Sequence, residues 1–207
     1  MNQEKFLRKA RTWARICGLL PGVQAIFLSG SVAQGRATNI SDIDFFIIAR
    51  HGQIWTARFF VFALLYATGQ MRTNTHHAGK ICPNHFITET HLRIRERDLY
   101  AAKLFSHNKP LYDPNGIFWH FVQENKDWVQ KHGEHFPIIE KDIIPLRTRK
   151  PWAFEQWFES CVALAQKEKI RRNPEYRLPG AKIVLEDYEL RFHPKPRNRS
   201  QDYKITR

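Results

Sequence analysis

The chain has 207 residues, 43% of them hydrophobic and 26% charged, which excludes a wholly disordered polymer and a disulfide-stapled miniprotein and leaves room for one core with a helical appendage. Its formal net charge of +13 favours polyanionic partners such as nucleic acid or nucleotide phosphates, and equally well serves solubility. Cys17, Cys82 and Cys161 are too few and too scattered for a disulfide framework, and the longest apolar run, residues 59–67, cannot span a bilayer; the expectation is a cytoplasmic protein with no membrane contact.

Residues 3–17 read as an amphipathic helix, with Phe6, Trp13 and Ile16 (joined by Ala10 and Cys17) at helical spacing and Lys and Arg on the other face. Gly18 and Pro21-Gly22 stop it. Residues 23–29 form a short apolar run typical of a buried strand, and residues 30–40 are a small, polar turn with a short helix. A second strand is predicted over residues 42–49, a hydrophobic helix over 53–68 ending at Gly69, and a third strand over 79–88. Pro83 inside that third strand argues for an edge position or a bulge. Helical patterns follow at 96–105, 115–131 and 151–172, the last with Trp152, Trp157, Phe158, Val162 and Ala165 expected on its buried side. Pro179-Gly180 breaks the chain before one last short helix at 181–189. This order predicts an α/β fold, with a small mixed sheet flanked by helices and a helical C-terminal half. The expected division is a core at 1–92, a helical region at 93–192, and a basic, loosely ordered tail at 193–207.

The informative stretch runs Phe27-Leu28-Ser29-Gly30-Ser31-Val32-Ala33-Gln34-Gly35 and then Ser41-Asp42-Ile43-Asp44-Phe45-Phe46-Ile47-Ile48. Gly30 lets backbone N–H groups approach an anion closely. Ser31 offers a hydroxyl to a phosphate oxygen, with the start of a helix behind it. Asp42 and Asp44 are two apart on a strand, so both carboxylates point to one face. So placed, they repel each other unless a cation sits between them. Magnesium suits such a pair, because it takes one or two carboxylates together with substrate phosphates, and two ions could serve both oxygens of an in-line displacement. The connection from Gly30-Ser31 to the acids is a single short loop. It can bring phosphate turn and carboxylates to the same edge of adjacent strands.

Gly-Ser, a loop, then Asp-x-Asp flanked by apolar residues resembles the signature of the DNA polymerase β-type nucleotidyltransferase superfamily. The form Gly-Ser-x-Ala-x-Gly followed by Ser-Asp-Ile-Asp is similar to its minimal and aminoglycoside-type bacterial members. The resemblance covers residues 23–49 and extends weakly to about residue 90. It implies that Gly30 and Ser31 hold a nucleoside triphosphate, with ATP the favoured one, and that Asp42 and Asp44 bind magnesium. The implied reaction moves a nucleoside monophosphate onto an acceptor hydroxyl and releases pyrophosphate. Arg36 and Lys80 are further candidates for phosphate contact. The superfamily's third acid has no counterpart on the third strand, which reads Lys80-Ile81-Cys82-Pro83-Asn84-His85-Phe86-Ile87. Asn84 or Cys82 stands nearest its place, and asparagine can ligate a metal through its carbonyl but cannot act as a base. The alternative is therefore a catalytically weak or inactive nucleotide- or nucleic-acid-binding protein that keeps the fold.

Several tempting features read more simply. His76, His77, Cys82 and His85 match no closed zinc spacing and are expected as surface histidines near a nucleotide pocket. Trp119, Phe121, Trp128, Trp152, Phe154, Trp157 and Phe158 could stack bases, but at helical spacing most are expected in the core. Lys167, Lys169, Arg171 and Arg172, with Lys195, Arg197, Arg199, Lys204 and Arg207, could contact nucleic acid or simply be solvated. The acceptor stays open between a small molecule, a protein and an RNA.

Overall fold

The structure is a computed structural model in which residues 2–73, 75–137, 146, 148–174 and 182–193 are described. Helix α1, Gln3–Gly18, starts at Asn2, whose side chain accepts from the Lys5 N–H at 3.0 Å. Its inward face is Phe6, Ala10, Ala14 and Cys17. Ile16, expected inward, is 42% exposed, because Ala14 and Cys17 hold the inward positions of that turn. Strand β1, Val23–Ser29, is buried throughout. It leads into the single turn α2, Gly30–Ala33, and then to β2, Ile43–Ala49. Helix α3, Ile54–Ala67, is followed by β3, Ile81–Thr88, α4, Leu99–Ser106, β4, Lys109–Tyr112, and α5, Ile117–Lys131. The long helix α6, Ala153–Arg172, precedes the hairpin of β5, Lys182–Leu185, and β6, Glu189–His193.

The six strands form one mixed sheet in the order β4-β1-β2-β3-β6-β5. β1 and β2 are antiparallel, and β2 and β3 are parallel. The sheet is larger than residues 23–90 supply. β4 adds an edge beside β1, and the β5–β6 hairpin covers β3. The short helix expected at 181–189 is thus a hairpin over its described part: Ile183, Leu185 and Leu190 face the core that helical periodicity would have scattered. β4 carries Pro110 and lies at the sheet's rim, where a missing ladder donor is tolerated. Pro83 produces a bulge, since Phe45 faces Pro83 while Phe46 faces His85, leaving Asn84 as the extra residue. The basic positions from Lys195 onward lie outside the described residues.

Strand alternation splits the core in two. Ile26, Leu28, Ile43, Phe45 and Ile47 pack with α1, α3 and α6 on one face, while Ala25, Phe27, Phe46 and Ile48 pack with α4 and α5 on the other. Phe121 and Trp128 are core residues as expected. On α6 the expectation holds for Val162 and for Phe158, which packs against the core, and fails for the rest. Trp152, Phe154 and Trp157 are 74%, 70% and 61% exposed, Ala165 is exposed, and the inward residues are Val162, Ala163 and Ile170. The helix has apolar residues all round, so periodicity could not choose a face. The choice is made by Glu159, whose carboxylate accepts from the Trp55 and Thr56 N–H groups at the start of α3, at 2.8 and 2.7 Å.

Candidate active site

The C-terminal end of β1, the start of β2 and the start of β3 meet at one edge of the sheet. Ser29 lies opposite Asp44, and Asp44 lies opposite Cys82. Gly30 follows Ser29 with φ of +68°, and a Cβ placed there would stand 2.0 Å from Asp44 Oδ2. Only glycine meets both the left-handed backbone and the close approach of that carboxylate. Ser31, in the first turn of α2, directs its hydroxyl to the Ser41 hydroxyl at 3.3 Å. Ser41 Oγ in turn accepts from the Thr38 N–H at 2.9 Å, which tightens the loop between turn and acids.

Asp42 sits one residue before β2, and Asp44 lies within it, both half-buried. Ligand atoms of Asp42, Asp44 and Cys82 lie within 4.8 Å of one another. Asn84, turned by the bulge, donates its amide to Asp44 Oδ1 at 3.0 Å. The structure therefore brings Gly30, Ser31, Asp42, Asp44 and Asn84 together. Arg36 and Lys80 are engaged with their own chain: Arg36 donates to the Gln34 side chain and Lys80 to the Gly69 carbonyl. A recess beside the pair is lined by Ser29, Gly30, Asp44, Asn84, His85 and Phe105.

Sequence reasoning missed two features of this site. Arg72 Nε lies 3.0 Å from Asp42 Oδ2. It comes from a loop with no periodic signal and is placed by the bridge between Met71 and Ile81. His85 is not a surface histidine. It is 4% exposed, and its Nε2 lies 3.2 Å from Glu189 Oε1. Burial pushes the imidazole below its ordinary value, against the opposing pull of Glu189. Burial works to raise Glu189, but the hydrogen bond to His85 and the charges of His85, Arg191 and Arg95 outweigh it and hold the carboxyl below its ordinary range. Helical periodicity assigned to residues 181–189 hid this pair. Lys9 on α1 also has its ammonium pKa lowered, first by burial and then by the charge of Lys80.

The donor set suits a hard divalent cation. Two carboxylates on one face, with a recess beside them, are the protein's usual share of a magnesium site, the remainder coming from phosphates and water. The Cys82 thiol is a soft ligand and a poor third partner for such an ion. Among the described residues, no third carboxylate joins the group.

This strand-turn-strand site lies within the stretch of the chain that a family model matches. Residues 10–99 match the family model described as Nucleotidyltransferase domain, and every candidate site residue falls inside that match. No curated protein matches the chain significantly. Among solved structures, it is similar to a toxin–antitoxin crystallised with AMP-PNP, at 18% identity over 61% of this chain and 86% of that one, with a TM-score of 0.35. A mutant of the toxin–antitoxin MntA-HpeT is similar at 16% identity over 64% and 88% of the respective chains, with a TM-score of 0.33.

Proposed function

We propose that the protein is a magnesium-dependent nucleotidyltransferase that moves a nucleoside monophosphate from a triphosphate, ATP by preference, onto an acceptor hydroxyl. The observation that carries this reading is the meeting of Asp42 and Asp44 with the Gly30-Ser31 turn, at a point where a single added methyl on Gly30 would collide with Asp44. Asp42 and Asp44 would hold magnesium, with Asn84 beside them, and the ion when bound neutralises phosphate charge. Ser31 donates its hydroxyl to a phosphate oxygen, and the backbone around Gly30 lies close along the phosphate chain. Arg36 and Lys80 add positive charge once they leave Gln34 and Gly69. The acceptor oxygen forms a bond to the α-phosphorus, the bond to the β-phosphate bridging oxygen breaks, and pyrophosphate leaves. The hydroxyl proton passes to water, because Asn84 cannot accept it.

A second reading is favoured by Asn84 and Cys82. With an amide and a thiol beside the pair instead of a third acid, binding without efficient transfer is the alternative. We also place the protein in a reducing, cytoplasmic setting, because Cys17, Cys82 and Cys161 are all free thiols. No helix among the described residues is long and apolar enough to cross a membrane. A nucleic-acid partner would draw on the basic end of α6, where Lys167 and Arg172 are partnered by Asp187 and Glu168.

Thermal unfolding with magnesium and each nucleoside triphosphate tests the site. Ligand at about 100 times its dissociation constant stabilises by roughly 2.7 kcal/mol. The expected result is a magnesium-dependent rise in melting temperature that Asp42→Asn/Asp44→Asn removes. Labelled triphosphate with candidate acceptors then separates transfer from binding. A folded native protein that no nucleotide stabilises would refute both readings.

A further inference from the structure

At the end of the sheet opposite the Gly30–Asp44 site lies a second concavity, where the Pro21-Gly22 turn, the start of α3 and the start of α6 meet. Its volume is about 320 Å³. β1 runs from this end to Gly30, so the two places are about 25 Å apart at the rise of an extended strand. Pro21, Phe60, Phe154 and Phe158 give it mainly apolar walls, and Gln53 and Thr56 give it polar ones. The Phe60 and Phe158 rings lie 5.9 Å apart and 24° from parallel, a broad flat surface.

Two of the cleft's polar residues carry an idle atom. Gln53 and Thr56 are only 4% and 5% exposed. Yet Gln53 Oε1 and Thr56 Oγ1 have no hydrogen-bond partner among the described residues. Buried polar atoms are nearly always paired, so two idle ones lining a single cleft point to a missing partner. The charged groups of the cleft are already engaged. Glu155 holds Arg149 and the Trp152 N–H, and the Gln53 side chain also hydrogen-bonds to it. Arg50 Nε lies 2.7 Å from the Gln24 side-chain oxygen when that amide is turned toward it. An ionic ligand would have to break these pairs, whereas an uncharged one need not.

We propose that this cleft binds a small, uncharged, flat aromatic molecule of one or two rings that carries an N–H or O–H donor. The ring lies among Phe60, Phe154 and Phe158, and the donor meets Gln53 Oε1 or Thr56 Oγ1 once that side chain turns toward the cleft, since both atoms are closed to solvent as they stand. The volume is at the small end of ligand pockets, which sets the size. The exposed Trp152 and Trp157 extend the apolar surface at the rim.

Titration of the isotope-labelled full chain with indole, followed by amide NMR, tests this, with indene as the donor-less isostere. Indole is expected to shift the Gly22, Gln53 and Thr56 signals saturably. Indene should bind about tenfold more weakly, since it leaves the buried oxygens unpaired. Gln53→Met should abolish the difference between the two probes while the rest of the spectrum keeps its native dispersion. If that variant does not fold, Thr56→Val serves the same comparison. Equal affinity for both probes, or no saturable shift with either, would overturn the proposal. So would signals here that move only with protein concentration, which would mark an interface between copies.

Discussion

Gly30 abuts Asp44 and Arg72 pairs with Asp42, so each bears on one carboxylate of the candidate site. In Gly30→Ala, the left-handed backbone alone costs about 1 kcal/mol, and the added methyl must displace the Asp44 carboxylate. The expected outcome is a lower melting temperature and loss of the nucleotide-dependent rise, both read in the same thermal scan. Arg72 now neutralises Asp42, from a side chain 43% exposed. As a screened ion pair it contributes little to stability, but it would compete with the proposed magnesium for one carboxylate. Arg72→Ala should therefore tighten magnesium binding in the absence of nucleotide, measured by calorimetric titration, while leaving the denaturation midpoint nearly unchanged. The thiols give a third test at this scale. Cys17 and Cys82 are buried and Cys161 is exposed, and burial pushes the Cys17 thiol up to about 12. A thiolate is the reactive form, so an aromatic disulfide reagent should titrate one thiol in the native protein and all of them in denaturant.

The helices α3 and α6 show how elements share one device. Gln53 provides no side-chain cap for α3, so Glu159 supplies it from α6 by accepting two backbone N–H groups. Glu159→Ala should destabilise by about 1–2 kcal/mol, from the lost cap and the charge at a helix N-terminus, checked by urea titration. Glu155 anchors the start of α6 by accepting from Arg149 and the Trp152 N–H, and these hold its carboxyl down at about 2 against an ordinary 4.5. A carboxyl depressed in the folded state adds stability above its unfolded value and loses it as pH falls. The advantage of the native chain over Glu155→Gln should thus be present above 4.5 and shrink as pH falls from 4.5 toward 2. Added salt should reduce it as well, since the group is near the surface.

Across the whole molecule, legibility followed locality. β1, α2, β2 and α3 were readable because each carries its own pattern: a buried run, a glycine turn, an acid pair, an apolar helix. The candidate site was readable for the same reason, as Gly30, Ser31, Asp42 and Asp44 are joined by one short loop. What stayed hidden depends on distant partners. β4 is a strand only because β1 offers it an edge. β6 is a strand because β3 does, which placed Glu189 against His85 and made a buried pair of what sequence suggested was a surface histidine. The exposed aromatic face of α6 depends on Glu159 reaching α3, a contact no local pattern encodes.

The strand order also bears on synthesis. All candidate site residues have left the ribosome once residue 99 has emerged, yet both neighbours of the β1–β2–β3 unit, β4 and β6, are encoded later. A fragment ending at residue 99 would thus display two unpaired strand edges, which invite association between chains. Such a fragment should sediment as concentration-dependent oligomers where the full chain does not, and nascent chains paused there would be candidates for chaperone capture. The part of the chain that holds the candidate site is the part least able to be left alone.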